Sequence, residues 1–462
     1  MIWPARKASG LSVVAAPSEA VAAPAPAPVV ALITANRNEK RTDLKVDLHQ
    51  RLIERINLAA LDSMTREQIS VEVGSIVQEM LIEQNHALNL VERGELVEDI
   101  LDELLGLGPL EPLLKDPTIT DIMVNTCSTV FVERRGRIEE VKTRFADDRH
   151  LLRIIQKIVG AVGRRIDESS PMVDARLADG SRLNAIIPPL AVDGPILSIR
   201  KFSKTPIDMS KLVGYGALPQ EAAEVLLGVV EARRNVIISG GTGSGKTTML
   251  NALSAAIDGS ERILTIEDSA ELQLQQRHVV RLETRPANIE GRGEISQREL
   301  VKNALRMRPD RIVLGEIRSG EAFDMLQAMN TGHDGSMTTV HANTPRDALS
   351  RIEQMIGMSG IDISPKSARS QIAAAIHVVL QLARLSDGSR RVMSISEVTG
   401  MEGETVLMQE IFRYKRTGVA EDGKVIGHFE ATGIRPKFME HLIARGIHLP
   451  PHLFDPDHKM GS

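Results

Sequence analysis

A short apolar run, Val236-Ile237-Ile238, leads into Gly240-Gly241-Thr242-Gly243-Ser244-Gly245-Lys246-Thr247, and Thr248-Met249-Leu250-Asn251-Ala252-Leu253 follows. No other stretch limits the fold as strongly. Gly-x-x-x-x-Gly-Lys-Thr between a strand and a helix is the phosphate-loop pattern, and it requires an α/β layer in which a strand feeds a helix. The glycines let backbone N–H groups close around phosphate oxygens, because a chain without Cβ can turn that tightly. Lys246 brings a point charge to the β- and γ-phosphates, and Thr247 offers a hydroxyl to Mg²⁺. The N-terminal end of the helix, entered through Thr248, adds its positive pole to the same anion site. A flexible Gly/Ser/Thr loop could match the pattern by accident, but the flanking strand and helix argue against that.

The chain around the loop has the matching alternation. From about residue 211, helical stretches alternate with apolar strands at 236–239, 263–266, 312–314, 337–340 and 378–382, which predicts a mostly parallel sheet covered on both faces. Residues 206–455 form this α/β domain. Residues 106–205 read as α+β. Hairpin signals occur at 130–141, around Arg134-Arg135-Gly136, and at 174–187, around Asp179-Gly180. A helix is predicted over 151–162 and a strand over 196–200. Residues 41–105 read as a small helical domain. Leu44, Leu48, Leu52 and Ile56 mark one helix face, Ile69 to Leu81 a second helix behind Thr65-x-x-Gln68, and Glu95 to Leu105 a third. Residues 1–40, rich in Ala and Pro, read as a disordered tether, and Thr205-Pro206 as a linker.

Composition narrows the partners. A net charge of −5 over 462 residues, with 2% aromatic residues, argues against a surface built for nucleic acid. Cys127 is the single cysteine, which excludes an intrachain disulfide and fits a reducing cytosol. No apolar run reaches the length of a membrane span, and Pro24, Pro26 and Pro28 break the best candidate. The expectation is a cytoplasmic protein.

Three clusters follow the loop near strand ends, where open α/β sheets place ligands. Glu267 and Asp268 end the strand at 263–266. Glu316 follows the strand at 312–314, where a carboxylate holds Mg²⁺ through water or polarises the attacking water. His333 and His341 bracket the strand at 337–340. Their eight-residue separation and the lack of a nearby cysteine disfavour zinc, and phosphate sensing through an imidazole N–H is the alternative to a structural role. Phosphoryl transfer also draws on arginines from neighbouring domains or subunits. The candidates are Arg176, Arg182 and Arg200 in the α+β region, and Arg306, Arg308 and Arg318 around Glu316.

The order of these boxes resembles the secretion ATPase superfamily of type II and type IV secretion and type IV pili. Gly240–Thr247, Glu267-Asp268, Gly315-Glu316 and His333 with His341 are similar to its Walker A, Asp, Walker B and His boxes. Leu107-Gly108-Pro109-Leu110-Glu111-Pro112-Leu113-Leu114, Asp121-Ile122-Met123-Val124-Asn125, Arg306-Met307-Arg308-Pro309-Asp310-Arg311 and Glu397-Val398-Thr399-Gly400-Met401-Glu402-Gly403 are most similar to the CpaF-like motors of Tad pili. The resemblance covers roughly residues 40–450, with Thr126 where that branch has glycine. It implies a RecA-like C-terminal domain and a homo-hexamer that binds ATP and Mg²⁺ between its two main domains. It also implies indirect membrane contact through an inner-membrane platform protein. Lys246, Glu316 and Glu267 are then expected to be catalytic. Gly240 to Thr248, Asp268, His333, His341, Arg182 and Arg200 are expected to bind nucleotide, with Thr247 on Mg²⁺. The rivals are a RecA- or helicase-type nucleic-acid motor and a scaffold that binds ATP without turnover.

Overall fold

The structure, a computed structural model, describes Leu48 and residues 66–83, 88–104, 106–134, 136–177, 179–202, 207–285, 287, 292–458 and 460. The Ala/Pro-rich tether, most of the first predicted helix, Thr65 and the Thr205-Pro206 linker lie outside the described residues. The chain divides after Gly108 into two compact units.

The first unit holds α1 (Arg66–Glu83) and α2 (Leu90–Leu104). The three-and-four spacing seen in the sequence puts Ile69, Val73, Val77, Met80 and Leu81 of α1 against Leu96, Ile100 and Leu101 of α2, with Leu48 in the same cluster. Asn89 starts α2. Its Oδ1 accepts the Glu92 N–H at 2.8 Å, and its own N–H reaches Glu92 Oε2 at 3.1 Å.

The second unit begins with α3 (Glu111–Lys115), β1 (Ile119–Thr126), β2 (Thr129–Arg134), β3 (Arg137–Val141), α4 (Asp148–Ala161), β4 (Met172–Arg176), β5 (Arg182–Ile186) and β6 (Ile196–Arg200). The six strands form one antiparallel sheet in the order β3-β2-β1-β6-β5-β4. Alternation sorts its faces: Ile122, Val124, Leu183, Ala185, Leu197 and Ile199 are buried, and the polar residues between them face the other way. Both predicted hairpins are present. β1 is the strand that the periodicity did not reveal.

Then come α5 (Met209–Gly214), α6 (Gln220–Glu231), β7 (Val236–Gly240), α7 (Lys246–Ser254), β8 (Ile263–Glu267), β9 (Val279–Glu283), α8 (Gln297–Ala304), β10 (Arg311–Leu314), α9 (Glu321–Asn330), β11 (Met337–Val340), α10 (Pro345–Met358), α11 (Pro365–Ala375), β12 (Val378–Arg384), β13 (Arg390–Glu402), β14 (Thr405–Val419), β15 (Val425–Ala431) and α12 (Phe438–Ala444). Nine strands form a second sheet, β15-β14-β13-β12-β7-β11-β10-β8-β9. The run from β12 to β9 is parallel. The run from β12 to β15 is antiparallel, an extension not foreseen in the sequence.

Neighbouring residues of the parallel strands serve different cores. Val236, Ile238, Ile263, Val313, Val378 and Leu380 join the cluster that includes α6, α7 and α12. Ile237, Leu264, Ile312, Leu314 and Val379 join the cluster that includes α9, α10 and α11. Two covered faces explain why β7, β8, β10 and β11 are buried along their whole length. They also leave the strand ends as the place for polar chemistry.

Candidate nucleotide site

β7 ends at Gly240 and α7 begins at Lys246, so the Gly-rich segment is the turn between them. Gly243 and Gly245 take φ of +69° and +95°, a region that suits glycine. A Cβ on Gly240 would strike Ser244 Oγ and lie 2.8 Å from the Leu382 carbonyl oxygen. At Gly240 the chain is therefore packed against β12 with no room for a side chain. α7 has no side-chain N-cap, which leaves the first N–H groups of its opening turn for a ligand. Lys246 Nζ folds over the loop, donating to the carbonyls of Gly240 at 3.0 Å and Gly241 at 3.2 Å. Burial pushes its pKa below the usual lysine range, and the Glu316 carboxylate, 4.0 Å away, opposes that shift. These donors, aimed at one small space, fit a phosphate group.

Glu316 stands just beyond β10. Its Oε2 accepts a forked pair from Arg318, Nε at 2.9 Å and Nη2 at 2.7 Å. Arg318 Nη1 also reaches Asp268 Oδ2 at 3.2 Å. Arg318 thus ties the ends of β8 and β10 together and orients both carboxylates. Next to them, Thr339 Oγ1 donates to the Gly315 carbonyl at 2.8 Å.

Glu267 has a different place from the one expected. It is 3% exposed, and its Oε2 accepts the N–H groups of Glu271 at 2.8 Å and Leu272 at 2.9 Å. It shapes the segment after β8. The carboxylate that this segment delivers to the cleft is Glu271, four residues on, which the strand-end pattern did not single out. Burial raises the Glu267 pKa to about 7, against the pull of those two N–H groups and of Arg281. Among the described residues its buried Oε1 has no hydrogen-bond partner. Folding therefore favours protonated Glu267. Its share of stability is full below the unfolded value near 4.5 and falls as pH rises toward 7, by about 3 kcal/mol. Glu267→Gln keeps an oxygen for both N–H groups and does not titrate. Urea unfolding at pH 5 and pH 8 should show the variant gaining on the native chain at the higher pH. Parallel pH curves would count against this.

The arginines are sorted by sheet register. Arg176 stands opposite Arg182, Arg182 opposite Arg200, and Arg200 opposite Asp121. Paired residues share a face, and like charges directly opposite one another disfavour a sheet. Arg176 is neutralised by Glu283 Oε2 at 2.6 Å and the Ala270 carbonyl at 2.9 Å. Arg200 donates to Asp121 Oδ1 at 3.1 Å, and Arg182 Nη2 lies 3.6 Å from Asp174 Oδ1. Arg182 and Arg200 line a cleft of about 180 Å³ together with Thr247, Thr248 and Asn251 of α7 and with Glu271 and Gln273. A row of cations facing the phosphate-loop helix is an anion-binding arrangement.

The remaining candidates separate. β11 runs parallel to β7, so His341 lies at the phosphate-loop end of the sheet, where Ser239 Oγ donates to the Ala342 carbonyl at 3.4 Å. His333 precedes β11 and lies at the opposite end. The neighbouring Gly335 and Ser336 N–H groups bond to Asn235 Oδ1, ahead of β7. His333 Nδ1 is 3.2 Å from the Ala328 carbonyl at the end of α9. A four-residue strand spans about 13 Å, so His333 does not join the phosphate loop of its own chain. Arg306 and Arg308 precede β10 and lie at that far end too. Two further arginines, Arg384 and Arg390, do reach the loop from the β12–β13 turn. The Ser386-Asp387-Gly388 turn signal between two runs could have revealed that hairpin.

The fold and this site define a phosphate-loop nucleotide-binding protein. The family described as type II/IV secretion system protein matches residues 103–426, and the chain belongs to it. It is 41% identical over 307 residues to Rv3659c of Mycobacterium tuberculosis strain H37Rv, a protein named for conjugal transfer, covering 65% of this chain and 87% of that one. It is 32% identical over 294 residues to the conjugal transfer protein TrbB of Rhizobium radiobacter, covering 63% of this chain and 86% of the relative. Among solved structures it is similar to the VirB11 ATPase of the Brucella suis type IV secretion system, at 29% identity and a TM-score of 0.34, covering 62% of this chain and 91% of that one.

Proposed function

We propose that this chain is an Mg²⁺-dependent ATPase whose hydrolysis drives a secretion-family machine, with assembly of a Tad-type pilus as the specific task. The observation that carries the reading is the cleft joining Thr247 and Thr248 of the phosphate-loop helix to Arg182, Arg200 and Glu271, with Glu316 beside Lys246. Thr247 would hold Mg²⁺, which when bound would supply positive charge against the phosphate oxygens. Lys246 and the α7 N–H groups bind phosphate. Glu316, oriented by Arg318, polarises the attacking water, and Glu271 offers a second carboxylate at the cleft. Asp268 stays with Arg318 in support.

Arg182 and Arg200 come from the antiparallel sheet and the loop from the parallel one, so nucleotide in the cleft would draw the two sheets together. Closure on ATP and opening after hydrolysis give a stroke. The resemblance of the ordered boxes to secretion ATPases supports a reading in which six copies form a ring that works on a membrane platform protein from the cytoplasmic side. In such a ring His333, far from its own loop, would serve a subunit interface. Among the described residues no helix is long and apolar enough to cross a membrane. The relatives named for conjugal transfer favour a second reading, transport through a type IV secretion machine, which uses the same cleft.

The test is phosphate release by the purified chain, with and without single-stranded DNA, alongside its mass in solution with ATP and Mg²⁺. The expected results are turnover unaffected by DNA and a six-subunit mass. Strong stimulation by DNA would favour a nucleic-acid motor, and a monomer under all conditions would contradict the ring.

A further inference from the structure

We infer that Arg390 is a positioning residue that sets the orientation of the phosphate loop and links it to the β2–β3 turn of the antiparallel sheet. This rests on the nucleotide-binding reading above. β12 and β13 are joined by a stiff turn. The Leu385 N–H bonds to the Ser389 carbonyl at 2.8 Å, and Asp387 accepts from the Ser389 N–H and, at 2.9 Å, from the Val425 N–H on β15. The turn presents Arg384 and Arg390 directly opposite each other in the ladder. Two like charges in register are unfavourable unless each has its own acceptor.

Each has one, and the acceptors lie at the loop and at the β2–β3 turn. Arg390 Nε donates to the Gly243 carbonyl at 2.9 Å, and its Nη2 lies 3.6 Å from Glu133 Oε1. Arg384 Nη2 donates to the Gly136 carbonyl. Its Nη1 lies 3.7 Å from where a Gly243 Cβ would be.

The bond to Gly243 has a geometric consequence. In a trans peptide the C=O and the following N–H point in opposite directions. Holding the Gly243 carbonyl outward turns the Ser244 N–H inward, where it meets the Gly241 carbonyl across the loop at 3.4 Å. Gly243 sits at φ +69° and has no Cβ to resist a flip of this peptide, and the 3.4 Å bond inside the loop is long, so a second hold from outside matters. Arg390 supplies it. Because the same guanidinium faces Glu133 at the end of β2, displacement of that strand end is felt at the Gly243–Ser244 peptide of the phosphate loop.

The test uses the full chain and a fluorescent ADP analogue. Arg390→Ala and Arg390→Gln are expected to weaken binding about tenfold, the scale of one charge-assisted hydrogen bond. KM for ATP should rise in parallel, with kcat at saturation nearly unchanged. Glu133→Gln should weaken binding in the same direction but less. Combined with Arg390→Ala, it should add nothing further. The Arg390 side chain is about half exposed and Glu133 keeps some access to water, so urea unfolding of Arg390→Ala, expected near native, checks that the affinity change is not a folding defect. Arg413→Ala, which breaks an exposed pair with Glu430 on β14 and β15, should leave affinity at the native value. Native affinity in both Arg390 variants, or additive effects of Glu133→Gln and Arg390→Ala, would overturn the inference. Lys246→Ala separates it from the reading beneath: native affinity in that variant would sink nucleotide binding at the loop itself.

Discussion

Glu316→Gln should give a protein that still holds ATP but turns it over about 10²–10⁴-fold more slowly, the range that one general base contributes. The substitution isolates chemistry from architecture. The Gln carbonyl can accept the Arg318 fork that Glu316 Oε2 now accepts, so the link between β8 and β10 survives. What disappears is the negative charge proposed to polarise water, beside a lysine 4.0 Å away. Phosphate release should collapse while binding of a fluorescent nucleotide stays near native. Full activity in Glu316→Gln would move the role to another carboxylate, with Glu271 next in line by its place in the cleft.

The second large effect lies at the far end of the same strand. Arg311 opens β10 with no exposed surface. Its Nε and Nη2 grip Glu261 Oε2 and Oε1 at 2.7 and 2.9 Å, and its Nη1 donates to the carbonyls of Val230 at 2.8 Å and Gly335 at 3.3 Å. Gly335, at φ +83°, has to be glycine, because a Cβ there would sit 2.5 Å from Arg311 Nη1. Arg311→Ala leaves Glu261 buried with, among the described residues, Arg233 at 3.1 Å as its remaining cation. It also leaves two carbonyls without this donor. The expected loss is about 3–5 kcal/mol, the scale for breaking one side of a buried pair. At the usual sensitivity of a domain this size, Tm should fall by roughly 10 °C. Replacing both partners, Arg311→Met with Glu261→Leu, should recover much of that loss, because no buried carboxylate is left stranded and Arg233, which also pairs with Glu261, is 30% exposed and can reach water. A single-variant cost under about 1 kcal/mol would mean that water reaches the pair, as at an exposed bridge.

These two residues mark what the sequence could and could not reveal. The phosphate loop was legible because its function is carried by backbone, and the backbone requirement is written as glycines. The parallel strands were legible because two covered faces demand unbroken apolar runs such as Val236-Ile237-Ile238. β13 and β14 were not, because an antiparallel extension alternates Arg, Ser, Glu and Gly with its apolar residues and lacks such runs. The Glu267-Asp268 pair was visible as carboxylates at a strand end. Burial decides that Glu267 holds backbone while Glu271 lines the cleft, and burial is a tertiary property. The two histidines look alike in sequence, yet the direction of β11 sends them to opposite ends of the sheet. Arg384 and Arg390 reach the loop from about 140 residues downstream, through strand pairing alone.

The central claim, that this cleft hydrolyses ATP, is tested most directly by steady-state phosphate release from ATP and Mg²⁺ by the purified full chain, with Lys246→Ala measured beside it. Continuous turnover by the native chain and none above background in Lys246→Ala is the predicted result. Equal release by both, or none by a native chain that binds nucleotide, would contradict it.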